Sequence, residues 1–133
     1  IVRLDGPLFV ISWASSSCVE KGEQFQVRAT VTNQGTKTQV IELKENPVLD
    51  IWIGPANTPL ARWSDGKTRT SDLTRLELKP GESKSVEMTF VEKLGSGAIP
   101  IEARFTYDDR FPPSSVDVFV DVGNCLRLFR MLI

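Results

Sequence analysis

The chain contains no histidine. That absence excludes Ser-His-Asp and Cys-His catalysis of the usual kind, and any zinc site built on imidazole. Cysteine is scarce: Cys18 and Cys125 are the two present, too few for a four-cysteine metal site. Neither glycine-rich phosphate-binding pattern occurs. No apolar run approaches the roughly 20 residues of a membrane-spanning helix, and no signal peptide is visible. Charge of one sign is also lacking. The 16 basic and 17 acidic residues leave a net charge of −1, which gives no electrostatic reason to expect nucleic acid or an anionic membrane as partner. No loop is acidic enough to supply the about six to eight oxygens that calcium needs. The sequence therefore predicts no metal, no cofactor and no enzyme activity.

What is present is a 133-residue chain, 41% hydrophobic and 25% charged. That predicts one domain over 1–133, able to bury about two-thirds of its unfolded surface without a metal or disulfide staple. Residues 1–7 read as an entry segment. The start at Ile1 rather than Met suggests a piece cut from a longer protein. Residues 123–133 fit neither helical nor strand period and read as a C-terminal tail or the start of a linker.

Between them, period-two alternation dominates. Phe25, Val27, Ala29 and Val31 alternate with polar neighbours, the pattern of an antiparallel strand with one wet face. Similar strands are predicted over 8–13, 37–43, 48–53, 60–63, 76–79, 85–91, 99–107 and 115–122. Turn signals recur about every ten residues, and no window has a helical period. The expected fold is all-β: an antiparallel β-sandwich of about seven to nine strands, with no helix longer than two turns over 20–122. Its core is expected to contain Phe25, Val27, Ala29, Val31, Ile41, Leu43, Ile51, Leu76, Leu78, Val86, Met88, Phe90, Ile101, Ala103, Phe105, Val116, Val118 and Val120.

The organising stretch is 60–82, which reads as strand, loop, strand and tight turn. Asp65-Gly66 is a strong turn pair, and Lys79-Pro80-Gly81-Glu82 turns the chain again. Trp13, Trp52 and Trp63 each lie in or beside an apolar strand, so packing is expected of them ahead of a sugar-stacking platform. Asp117 with Asp121, and Asp108 with Asp109, are paired acids, but their spacing selects no glycosidase geometry.

Cys18 follows the first predicted strand and Cys125 the last. Simple alternation of strand direction puts both at one pole, so a disulfide and two free thiols both stay open. The same alternation places the loops 54–59, 79–82 and 108–113 together. Arg110 and Phe111 are residue types suited to anchoring a partner, and Pro112 with Pro113 stiffens the backbone beside them. The competing expectation is that Phe111 plugs the end of the core.

Arg62-Trp63-Ser64-Asp65-Gly66-Lys67, then Leu76-Glu77-Leu78-Lys79-Pro80-Gly81-Glu82, resembles the intracellular proteinase inhibitor (BsuPI-type) family. Val27 to Asn33 is similar to that family's strand ending in Thr-Asn, and also to bacterial immunoglobulin-like surface modules. Arg69 and Ser71 depart from the family's run after the tryptophan. The resemblance implies an immunoglobulin-like sandwich. It leaves two functions open: a non-catalytic interaction or spacer module of a larger, cell-envelope protein, or a proteinase inhibitor acting through an exposed loop, as a free-standing cytoplasmic chain. Either takes a protein partner, a protease in the second case.

Overall fold

Where apolar and polar residues alternate, a pleated strand can bury one face and wet the other. The computed structural model describes residues 2–5, 8–20, 22–55, 59–91, 97–105 and 114–120, the first of these by backbone alone. In chain order the elements are β1 (Val2–Asp5), β2 (Leu8–Ala14), β3 (Cys18–Val19), β4 (Gln24–Asn33), β5 (Gln39–Glu42), β6 (Leu49–Ile53), β7 (Ala61–Arg62), α1 (Ser71–Thr74), β8 (Arg75–Leu78), β9 (Ser83–Val91), β10 (Gly97–Phe105) and β11 (Ser114–Val120). A four-stranded sheet has the order β1-β2-β4-β9, and a five-stranded sheet the order β3-β11-β10-β6-β7; β5 and β8 form a separate ladder. All pairings are antiparallel except β3 with β11, where Cys18 lies opposite Phe119. This is an immunoglobulin-like antiparallel β-sandwich.

The two large sheets pack through β2 against β10 and β11, and through β4 and β9 against β6. Phe25 and Phe90, opposite each other on β4 and β9, meet edge to face with centroids 5.6 Å apart. The Ser12 and Ser114 hydroxyls, 3.2 Å apart, link the sheets at the edge of the core.

Fifteen of the expected core residues are buried; Leu43, Met88 and Val116 are only partly so and pack against its margin. Leu8, Val10, Val19, Val48, Leu49, Ile53 and Ile99 complete the core. Residues 2–5 depart from the expected entry segment: they form an edge strand on β2. Val2-Arg3-Leu4-Asp5 does alternate apolar with polar, a short strand signal that the entry-segment expectation passed over beside Gly6-Pro7. The one helical element among the described residues, α1, is a single turn, closed by Thr74 Oγ1 donating to the Thr70 carbonyl.

Strand direction corrects the expected pole. Ile53, at the end of β6, lies beside Ile101, whereas Phe105, at the end of β10, lies beside Leu49. The ends of β6 and β10 therefore point to opposite poles, and the loop 108–113 lies outside the described residues. The strands cross between sheets rather than alternating in one row.

Candidate functional site

Asp50 is the one acid in the apolar strand β6, and it is buried. Its Oδ1 accepts from the amides of Ile51 (2.9 Å) and Ser64 (3.0 Å), and its Oδ2 from the Ser64 hydroxyl (2.7 Å) and the Trp52 indole (3.3 Å). A buried carboxylate so supplied with donors is satisfied without a cation. The consequence is positional: the chain after β7 is pinned to the sheet at Ser64.

The approach to that point needs a sharp reversal after β6. Gly54 makes it at φ +99°, with its amide donating to the Pro100 carbonyl; a Cβ there would lie 2.9 Å from Leu60 Cγ. Leu60 then returns along β6, donating to Ile53. Beyond Arg62 the turn predicted from Asp65-Gly66 forms, with Gly66 at φ +74°. Asp65 Oδ2 accepts the Arg62 amide at 3.0 Å, and Arg69 donates to the Ser64 carbonyl at 2.9 Å.

This return strand completes a cross-strand stack on the outer face of the five-stranded sheet. Trp52 lies opposite Arg62 on β7 and Glu102 on β10. The guanidinium carbons of Arg62 and Arg104 sit 4.1 and 4.0 Å from its ring centroid. They come from the strands on either side of β6. Glu102 accepts from Arg104 at 2.6 and 2.8 Å and fixes that guanidinium. Arg62 forms no ion pair among the described residues.

The other tryptophans divide. Trp63 is partly buried against the core, with Lys67 Nζ at 5.0 Å from its ring. Trp13 is exposed on the outer face of β2 and stacks on Arg28, which pairs with Glu87. The expectation of packing holds for Trp63 and Trp52, while Trp13 is a surface residue. The crevice between Trp63, Leu73 and Val86 holds about 10 Å³, room for at most a water molecule and not for a ligand.

Of the residues singled out in sequence, Arg110, Phe111, Pro112 and Cys125 lie outside the described residues, as do Asp108, Asp109, Asp121 and the tail at 123–133. Cys18 is described: it is disulfide-bonded, on the strand beside Phe119. Asp117 is exposed on β11. Sequence reasoning missed the Arg62–Trp52–Arg104 stack because its members come from three strands and meet only through register. The signal available was Asp50, a lone acid in an apolar run that sets Trp52 on the outer face. Among the described residues, no group of three or more acids and cysteines is placed to hold a metal.

The model of the intracellular proteinase inhibitor family (BsuPI) matches residues 14–108, from the end of β2 to beyond β10. The chain belongs to that family. None of the curated proteins matches it by sequence. Among solved structures, a CARDB domain from Pyrococcus furiosus superposes with a TM-score of 0.54 at 15% identity, over 87% of this chain and 94% of that one. Sporulation control protein Spo0M from Bacillus subtilis superposes with a TM-score of 0.55 at 15% identity, over 96% of this chain and 56% of Spo0M. A β-glucosidase from Erythrobacter marinus contains a similar region, with a TM-score of 0.52 at 14% identity over 86% of this chain; the match spans 15% of the enzyme. At these identities the likeness is one of fold. The family's Ser64-Asp65-Gly66 segment is the one that Asp50 pins, and its Thr-Asn ends β4 at a second buried polar residue, Asn33.

Proposed function

We propose that this chain is a non-catalytic protein-binding module. One observation carries the reading: the Arg62–Trp52–Arg104 stack presents two guanidinium groups and an indole on a sheet face, held rigid by Asp50 and Glu102. Arginine and tryptophan dominate the energetics of protein interfaces, and pre-ordered side chains lose little entropy when a partner docks. Arg62→Ala should weaken partner binding while lowering the melting temperature by only about 2–5 °C, since exposed cation–π pairs contribute about 0.5–1 kcal/mol. A partner that binds Arg62→Ala as tightly as the parent chain counts against this face.

The family supports a second, narrower reading in which the partner is a protease. Arg110, Phe111 and Pro112 would then form the inserted loop. Titration against a panel of serine proteases tests it: stoichiometric loss of protease activity supports inhibition, and unchanged activity with cleavage after Arg110 removes it. Arg110→Ala with Phe111→Ala separates contact from packing. Weaker inhibition at unchanged stability supports a contact loop, whereas a loss of roughly 3 kcal/mol marks Phe111 as a core plug.

The bonded state of Cys18 supports work in an oxidising compartment, as part of a larger envelope or extracellular protein, despite the family's name. Cys125 is the other cysteine of the chain, and we assign it as the partner. Peptide mapping of source-cell protein without reductant should yield the Cys18 and Cys125 peptides joined. Recovery of both as free thiols would return the module to the cytoplasm.

A further inference from the structure

A disulfide fixes two cysteines and also the chain that leaves them. In the parallel β3–β11 pair Val19 lies opposite Val120, and both are buried, as is Val118. Side chains alternate along a strand. Cys18 and Phe119, which lie opposite each other, therefore turn to the outer face of the five-stranded sheet. Phe119 is 45% exposed there. On the next strand it faces Ala98, which is exposed as well, and Pro100 follows on the same side of β10. Asp117, opposite Pro100, borders this apolar corner.

The other cysteine of the chain is Cys125. A disulfide holds its two Cα atoms within about 7 Å. Fully extended, the six residues from Phe119 would carry Cys125 about 20 Å away. The chain must turn back between Val120 and Cys125, and Gly123-Asn124 are residue types suited to such a reversal. Leu126 to Ile133, which lie outside the described residues, thus start beside Phe119. They are apolar except for Arg127 and Arg130. In a strand, Arg127 would share the side of Cys125, against the sheet, and Arg130 would take the opposite side. In a helix, Leu128, Phe129 and Leu132 share the side of Cys125, at spacings of three, four and seven, and both arginines fall together on the far side. The tether decides between the two periods. A helix this short is marginal in water on its own, so it needs an apolar surface to form on. Phe119, Ala98 and Pro100 supply one.

We propose that residues 125–133 form an amphipathic helix docked on the outer face of the five-stranded sheet, over Phe119 and Ala98, with the Cys18–Cys125 bond as its anchor. Leu128, Phe129 and Leu132 face the sheet, and Arg127 and Arg130 face water. The Arg62–Trp52–Arg104 stack lies on the same face, toward its other end. The docked helix therefore bounds the surface that a partner can use. The docking rests on the Cys18–Cys125 assignment and not on the binding reading of that face.

The test is amide hydrogen exchange of the full 133-residue chain, kept free of reductant and read by mass spectrometry after peptic digestion. The amides of residues 129–133, which have a helical acceptor four residues back, should exchange at least about tenfold more slowly than in an unstructured chain. Phe119→Ser removes the contact on the sheet, and Leu128→Ser removes one on the helix. Each should return these amides to the unstructured rate while the amides of β4 stay protected, which shows that the sandwich is folded. Arg127→Ala should leave the protection as it is, because that side chain faces water. Protection lost with Arg127→Ala and kept with Leu128→Ser marks a strand and overturns the helix. Wild-type amides at the unstructured rate overturn the proposal, as does protection that survives both Phe119→Ser and Leu128→Ser. Recovery of Cys18 and Cys125 as free thiols removes the anchor and overturns it too, but leaves the protein-binding reading standing. A partner that binds Arg62→Ala as tightly as the parent chain counts against that reading and leaves the docked helix standing.

Discussion

Asn33 and Asp50 are two buried polar side chains at two ends of the same job. Each sits at a strand position among apolar neighbours, and each reaches into the stretch 60–82. Asp50 holds its first turn at Ser64. Asn33 holds its last: Nδ2 donates to the Leu78 and Lys37 carbonyls at 2.9 Å, Oδ1 accepts from Gly35, and its backbone pairs with Gly81 and Glu82. They differ in what surrounds them. Asp50 receives only donors, one of which is a hydroxyl that can reverse. Asn33 must donate to two carbonyls, which cannot. A buried polar site is defined by whether its partners can change role, more than by its own charge.

The hardest blow to that comparison is Asn33→Asp. The substitution keeps size and shape but aims a carboxylate at two carbonyl oxygens. A buried, uncompensated charge costs about 3–5 kcal/mol, enough to unfold much of a small domain's population at neutral pH. The pH sign follows. The neutral acid can donate to one carbonyl and the anion to none, so the folded state raises this carboxyl above its unfolded value. The variant should be most stable below the unfolded carboxylate range and lose stability as pH rises through the raised value. Denaturant midpoints measured from acid to neutral pH check this. A flat profile would mean that Asn33 is not enclosed by its carbonyl partners.

Asp50→Ala is the next largest. It strands the buried Ser64 amide and hydroxyl, at about 1–3 kcal/mol for each unsatisfied group, so a total near 3 kcal/mol is expected. Fluorescence should report it as well, because Trp52 loses the acceptor for its indole and Trp63 the anchor beside it. A loss below about 1 kcal/mol would show that the turn holds itself through Asp65 and Arg69.

Much of this fold was legible because alternation is a local signal. Strands β4, β9, β10 and β11 could be placed from period two, and the Asp65-Gly66 turn from its residue types. The edge pieces were not: β3 is too short to show a period, and the four alternating residues of β1 were passed over beside the Gly6-Pro7 break. Strand direction was misread because crossing between sheets leaves no trace in local composition, and the error carried through to the pole of the loop after β6. The same limit hid the Arg62–Trp52–Arg104 stack. Its three residues look like ordinary strand positions until β7 and β10 are set on either side of β6. Asn33 and Asp50 were in plain sight as a strand-ending amide and an isolated acid, but burial is what gives them meaning, and burial is a property of the packed sheets.

The smallest effect sharpens the comparison from the other side. Asp50→Asn is the reverse exchange, and it should be nearly tolerated. The amide can keep its oxygen at the Oδ1 position, where the Ile51 and Ser64 amides still donate. Its nitrogen then faces the Ser64 hydroxyl, which turns from donor to acceptor at no geometric cost. What remains unmatched is the indole N–H of Trp52, whose 3.3 Å contact is the longest of the four. The expected loss is about 1 kcal/mol, with no new pH dependence, because the side chain that replaces the acid does not titrate. Adding Ser64→Ala to Asp50→Asn should remove the tolerance: without the reversible hydroxyl the amide nitrogen has no acceptor, and the double variant should be less stable than the sum of the two single changes. Additive losses would mean that Ser64 does not reverse, and that Asn33 and Asp50 differ in charge alone.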